Sequence, residues 1–162
     1  MITAIVAVDS LWGIGYKGNL LEYIPEDLQY FKALTTNNIV VMGQNTWDSL
    51  PKKPLPNRGN IVITYDSHDS NDANFWSMDK TKSFMLEHKD INFFIIGGGS
   101  IYEQLLPICD KVYVTKIYKI HEDIDTYFPN LNKMKEWEIS YCTALRDYNG
   151  IGYAFATYDR KS

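Results

Sequence analysis

Four short β-branched runs set the frame for this chain. Ile2–Val8 and residues 39–42, 61–64 and 92–96 are each apolar almost throughout. Runs of that length without polar alternation read as strands covered on both faces. Segments of helical character lie between them: 25–34, where Leu28, Phe31 and Leu34 recur at helical spacing, then 44–50 and 79–88. Residues 100–106 follow the fourth run as a helix, and Lys111–Ile117 reads as a fifth strand. Such alternation predicts an α/β fold with a mainly parallel central sheet and helices on both faces. Residues 137–143 and 152–158, on either side of a turn-forming stretch at 146–150, predict antiparallel C-terminal strands. Residues 65–74 are expected to be an exposed loop and 123–129 a turn-rich segment. A length of 162 residues with 45% hydrophobic content suits one domain over residues 1–162.

In a sheet of this kind ligands gather at the carboxyl ends of the strands. Three glycine features fall there: Gly13, Gly15 and Gly18 after the first strand, Gly43 before the helix at 44–50, and Gly97, Gly98 and Gly99 after the fourth strand. A strand, a glycine and a helix N-terminus leave backbone N–H groups pointing outward, which suits a phosphate. The triple glycine is the best such signal. It is not a G-x-G-x-x-G fingerprint, because Tyr102 stands where the last glycine would be, and no G-K-[ST] follows. Between Pro51 and Gly59, three prolines make a stiff connection that carries Lys52, Lys53 and Arg58. Arg58 could present a two-pronged donor to a carboxylate or phosphate, or could be a solvated loop charge.

Asp27 interrupts the apolar face of the first helix. It lies four residues before Phe31 and seven before Leu34, so it shares their side. Read alone, an acid in a first helical turn most simply stabilises the helix N-terminus. Beside the strand-end glycines and the basic loop, it reads instead as an acid that binds a protonated or amino-substituted heterocycle, in a site for reduction by a bound dinucleotide.

Other chemistries find little support. The net charge of −4 argues against a broad nucleic-acid face. Cys109 and Cys142 lack metal-type spacing and read as ordinary core or near-surface residues, with one disulfide between them left open. His68, His88 and His121 lie far apart, form no metal or nucleophile motif, and are expected at the surface. There is no signal-peptide pattern and no membrane-length apolar run, so the expected location is the cytoplasm.

Over nearly its whole length the chain resembles a bacterial-type dihydrofolate reductase. The resemblance rests on Ala7-Val8-Asp9, Gly13-Ile14-Gly15, Pro25-Glu26-Asp27-Leu28 with Phe31-Lys32, Val41-Met42-Gly43 with Thr46-Trp47-Asp48-Ser49-Leu50, Pro54-Leu55-Pro56-Asn57-Arg58, Ile96-Gly97-Gly98-Gly99-Ser100-Ile101-Tyr102, Tyr113-Val114-Thr115 and Asp125-Thr126-Tyr127-Phe128-Pro129. It implies NADPH-dependent reduction of 7,8-dihydrofolate to tetrahydrofolate, with hydride passing to pterin C6 and a proton to N5. It implies antifolates as further ligands; from the residues themselves no nucleic-acid, membrane or metal partner is expected, and a monomer is the default because no strong self-association surface is readable. By the same resemblance Asp27 holds the pterin 2-amino group and N3, and Thr115 is its hydroxyl partner. Ile5, Val6, Leu28, Phe31, Leu50 and Ile96 wall the pterin and benzoyl groups. Arg58 clamps the glutamate α-carboxylate, helped by Lys32 and Lys53. Ala7, Ile14 and Tyr102 surround the nicotinamide. Gly43, Thr46, Gly97, Gly98, Gly99, Ser100 and Ile101 contact the cofactor phosphates, and Gln44, Asn45, Thr64 and Tyr65 complete the cofactor set with Ile96. Gly15, Asn19 and Leu20 belong to a loop ending at Glu22 that closes over the nicotinamide. Leu20 and Tyr102 join Asp27 and Thr115 in the catalytic group.

Two departures from the family pattern stand out. Leu21-Glu22 replaces the usual Pro-Trp, so Glu22 is expected to turn to solvent while Leu21 or Tyr23 covers the site. Gln44 and Asn45 stand where a cation is usual, and Tyr65 where Arg or Ser is frequent, with Asp66 beside it. That implies a weaker preference for NADPH over NADH than the family usually shows. The rival readings are a pyrimidine reductase of riboflavin synthesis, against which the helix of Asp27 and Thr115 both speak, and a non-catalytic folate- or nucleotide-binding module.

Overall fold

β1 (Ile2–Val8) lies inside the sheet, and the chain winds away from it in two directions. In this computed structural model, which describes residues 1–15 and 21–162, α1 (Pro25–Thr35) leads from β1 to β3 (Ile39–Gly43). α2 (Gln44–Ser49) then leads to β4 (Gly59–Ile63) and on to β6 (Asn74–Trp76). α3 (Met78–Glu87) returns the chain to β7 (Phe93–Gly97), which inserts between β1 and β3. α4 (Gly99–Leu105) and a 3-10 turn at Leu106–Ile108 carry it to β8 (Lys111–Ile117), on the other side of β1. All these strands pair in parallel, so their carboxyl ends share one edge. β10 (Trp137–Cys142) and β12 (Ile151–Arg160) extend the sheet beyond β8 with antiparallel pairing.

The strands are covered on both faces, and alternate residues sort into different cores. Ile2, Ala4, Val6 and Val8 pack with Val41, Ile95, Val112 and Val114 against Met85 of α3 and Ile101 and Leu105 of α4. Ile5, Val40, Met42, Val62 and Phe94 pack on the opposite side with Trp47 of α2, and Phe31 and Leu34 of α1 lean on that layer. A smaller cluster of Ile24, Ile117, Tyr153 and Phe155 seats the N-terminal end of α1.

Three regions differ from the sequence expectation. Residues 65–74 are not wholly loop: β5 (His68–Asp69) turns back on β6, and β6 pairs in parallel with β4. His68 stacks on Phe75 at 4.4 Å, and the Trp76 indole donates to Asp69 at 3.1 Å, so side-chain contacts hold this short pair. Residues 146–150 contain β11 (Arg146–Tyr148), hairpinned onto β12; the turn itself is only Asn149 and Gly150, with φ of 50° and 83°. Pairing with β12 defines a strand whose polar sequence suggested a turn, and Arg146 also reaches Glu26 at 3.0 Å. In the glycine-rich loop, β2 (Gly13–Gly15) pairs with β9 (Thr126–Tyr127). Both cysteines are free, Cys109 buried and Cys142 exposed. Among the described residues no helix is long and apolar enough to cross a membrane.

Candidate active site

Asp27, Thr115 and the glycines at Gly43 and Gly97 lie towards the shared carboxyl edge of the sheet, while Arg58 lies at the other end of α1. Pro25 starts α1, and acidic Glu26 and Asp27 fall in its first turn, where backbone N–H groups favour them. Thr115 sits opposite Ala7 in the β1–β8 register, and its hydroxyl donates to Asp27 Oδ1 at 2.6 Å. Among the described residues Thr115 is the one side chain hydrogen-bonded to that carboxyl. Burial raises the Asp27 pKa above the usual aspartate value, and the Thr115 hydroxyl works against the rise. No bond to the second carboxyl oxygen is seen among the described residues.

The apolar face of α1 does not disappear into the core. Leu28 is 41% exposed, and Phe31, with Leu50 and Ile96, is only partly buried against the layer that holds Ile5. Apolar side chains left accessible around a largely buried acid make a cleft that suits a flat heterocycle with N–H donors. Ile5 and Val6 separate here: Ile5 faces this side of the sheet, while the Val6 side chain lies in the α3–α4 core. Val6 can therefore meet a ligand in the Asp27 cleft only through its backbone.

At the far end of α1, the Arg58 guanidinium donates to the Thr35 hydroxyl at 3.0 Å and to the Pro56 carbonyl at 2.9 Å. Partial burial lowers its pKa. Buried Asn60 stiffens the loop from within: its side chain accepts from Leu55 N–H and donates to the carbonyls of Leu55 and Arg58. Asn60 carried no signal in the sequence, since a lone Asn opening a strand is unremarkable. Lys32 is exposed one turn before the C-terminal end of α1. Lys53 is used differently: its ammonium donates to the carbonyls of Trp47 and Asp48 and closes the C-terminal end of α2.

The glycine-lined strand ends lie beside the same cleft. Gly43 and Gly98 are the N-caps of α2 and α4, and neither helix end carries a side-chain cap bond. Gly97 has φ of 126°, a left-handed value that glycine tolerates, and the Gly97–Gly98 peptide is cis. A Cβ on Gly98 would have only Thr46 Oγ1 near it, at 3.6 Å, so that backbone lies open. Gly99 is packed against Thr126 of β9 instead. Ser100 is exposed, and Ile101 is buried under α4. Two helix starts with unclaimed N–H groups, one beside an open glycine backbone, fit a dinucleotide diphosphate. Ala7 and Ile14 are half-buried beside this edge. Tyr102 is buried, and its hydroxyl donates to the Ile5 carbonyl at 2.6 Å; burial pushes its pKa well above the ordinary tyrosine value. Farther out, Gln44 donates to Asp48 at 3.0 Å, Asn45 and Tyr65 are exposed, and Thr64 is partly buried and accepts from Asp66 N–H. Asn19 and Leu20 lie outside the described residues.

Glu22 does not turn to solvent. Its Oε1 accepts from Lys119 Nζ at 2.8 Å and pairs with His121 Nε2 at 3.0 Å, while Leu21 packs on the Ile24–Ile117 cluster and Tyr23 is exposed. His121 is correspondingly not a free surface residue, with 15% of its side chain exposed.

A parallel-stranded α/β sheet with an acid–hydroxyl pair in an apolar cleft and open helix starts beside it fits a nucleotide-dependent enzyme acting on a small heterocycle. The particular family follows from comparison with known proteins. A family model described as dihydrofolate reductase matches residues 1–160. The chain is 36% identical to the dihydrofolate reductase of Buchnera aphidicola (Acyrthosiphon pisum symbiont) over 85% of this chain and 84% of that one. It is 33% identical to the Bacillus subtilis dihydrofolate reductase over 100% of this chain and 96% of that one. It is 36% identical to the Haemophilus influenzae dihydrofolate reductase over 79% and 78%. The chain belongs to the dihydrofolate reductase family.

Proposed function

We propose that the Asp27–Thr115 pair is the pterin anchor of an enzyme that reduces 7,8-dihydrofolate to 5,6,7,8-tetrahydrofolate with NADPH. Family membership makes the chain an oxidoreductase that forms tetrahydrofolate in one-carbon metabolism with a nicotinamide cofactor, and makes antifolates its general ligands. The observation that carries the anchor reading is the 2.6 Å bond from Thr115 to a carboxyl raised by burial in an apolar cleft.

Asp27 binds and orients. Its open oxygen accepts from the pterin 2-amino group and N3, and the Thr115 hydroxyl fixes the carboxyl plane. Ile5, Leu28, Phe31, Leu50 and Ile96 exclude water from the ring, and the Val6 backbone borders it. Arg58, held by Thr35 and Pro56, receives the glutamate α-carboxylate, with Lys32 as a second cation. Lys53 contributes indirectly, by closing α2. The helix starts at Gly43 and Gly98, with Thr46, Gly97, Ser100 and Ile101, hold the diphosphate, and Ala7, Ile14 and Tyr102 border the nicotinamide. When bound, that cofactor supplies the hydride received at pterin C6. Asp27 is committed to the amino side of the ring, so the N5 proton comes from water. Its charge favours the protonated heterocycle from a distance.

We also infer a weaker preference for NADPH over NADH than is usual in the family, because Gln44 is engaged by Asp48 and Asn45 and Tyr65 bring no cation. The test is steady-state kinetics with dihydrofolate and each cofactor. Loss of absorbance at the NADPH band, abolished by an antifolate, supports the activity; a large NADPH preference sinks the specificity reading. A cytoplasmic monomer folded as one domain over residues 1–162 completes the proposal.

A further inference from the structure

His121 bridges two carboxylates. Asp9, just past β1, is buried with a side chain 1% exposed. Its Oδ1 accepts the N–H groups of Leu11 and Gly13 at 3.0 and 2.8 Å. Its Oδ2 accepts the His121 backbone N–H at 3.1 Å and faces ring Nδ1 at 3.2 Å. On the far side of the ring, Nε2 faces Glu22 Oε1 at 3.0 Å, and Lys119 donates to that same oxygen. Burial works to raise the Asp9 pKa, but the N–H groups of Gly13, His121 and Leu11 and the His121 ring outweigh it and hold the acid below its usual value. Glu22 is lowered by Lys119, against burial, with help from His121. Both acids are therefore acceptors only.

A neutral imidazole has one N–H and one lone pair. Here both ring nitrogens face acceptors, so only the doubly protonated ring satisfies both contacts. The charged groups around it are Asp9 beyond β1, Glu22 before α1 and Lys119 past β8, with Glu122 and Asp123 next in its own segment. Glu22 stands five residues before Asp27 in the stretch that enters α1, and Lys119 stands four after Thr115. The ring thus joins the segments that carry both members of the acid–hydroxyl pair.

We infer that His121 is a proton-carrying positioning residue: doubly protonated, it ties Glu22 to Asp9 and holds the entry to α1, and hence Asp27, in place; on losing a proton it can no longer bridge the two carboxylates. A neutral ring has one N–H for two carboxylates, so it can donate to only one of them, while Lys119 still donates to Glu22.

The consequence for catalysis rests on the dihydrofolate reductase reading, so the test has an arm that needs no activity. In that arm, nitrogen-detected NMR of the His121 ring is followed through pH in the wild-type protein and in Glu22→Gln. The expected result is two protonated ring nitrogens at the acidic end and a midpoint about half a unit or more lower in Glu22→Gln, since an anionic neighbour has been removed. The same midpoint in both proteins overturns the tether. In the second arm, kcat/KM for dihydrofolate is compared in wild type and His121→Gln across the same range. The expected wild-type advantage is about two- to five-fold at the acidic end, the size of a part-buried ion pair, shrinking towards unity as pH rises. A deficit independent of pH, tracking a lower Tm, shows a merely structural residue and overturns the positioning role. A chain that turns over no dihydrofolate refutes the function, while the NMR arm still decides the tether.

Discussion

Thr115→Val removes one hydroxyl and little else, and its effect can be worked from the geometry. Thr115 is 3% exposed on a central strand, and its hydroxyl donates to Asp27 at 2.6 Å. A hydrogen bond to a charged group contributes about 1.5–3 kcal/mol, and this one works against the rise that burial gives the Asp27 pKa. Burial already puts the folded pKa of Asp27 above its unfolded value. Ionising it therefore costs stability, with no cost below the unfolded pKa and the full cost above the folded one. Removing the donor lifts the folded pKa further. The variant should be less stable than wild type by about 1.5–3 kcal/mol at neutral pH, and the gap should narrow as pH falls through the raised Asp27 pKa. Urea denaturation at several pH values measures the gap, and kcat/KM for dihydrofolate should fall by about ten-fold or more at neutral pH, the kinetic equivalent of that energy. Equal stability at every pH with unchanged kcat/KM would refute the pairing of Thr115 with an ionised Asp27.

Arg58→Gln should raise KM for dihydrofolate by roughly ten- to hundred-fold with kcat little changed, since the clamp acts far from the reacting atoms and a charged hydrogen bond has that worth; a fall in kcat at constant KM would contradict the assignment. Gly99→Ala drives a methyl group into the Thr126 side chain, so Thr126 must change rotamer or β9 must shift. The expected loss is about 1–3 kcal/mol, read as a lower Tm with a higher cofactor KM.

Much of the site was legible in the sequence because its signals are local. Asp27 breaks a helical stripe within one turn, and Gly43 and Gly97 each sit directly between a strand and a helix. The Glu22–His121–Asp9 contact was not legible: its members are 99 and 112 residues apart, and none belongs to a motif. Leu28 and Phe31 show a subtler limit, because hydrophobic spacing identifies a helix face but does not distinguish a core from a ligand cleft. In the fold, β5, β6 and β11 escaped notice because a strand of two or three residues has no period to read; partners on β4 and β12 define them. The family resemblance groups Val6 with Ile5 as a pterin wall, and only the pleat of β1 separates the two side chains.

The central claim is that Asp27 anchors the pterin and favours its protonation. The pH–rate profile of Asp27→Asn reducing dihydrofolate tests it most directly. The account predicts a sharp loss of activity near neutral pH that narrows in acid, where the substrate protonates without help. A variant whose pH–rate profile matches wild type would remove Asp27 from the mechanism.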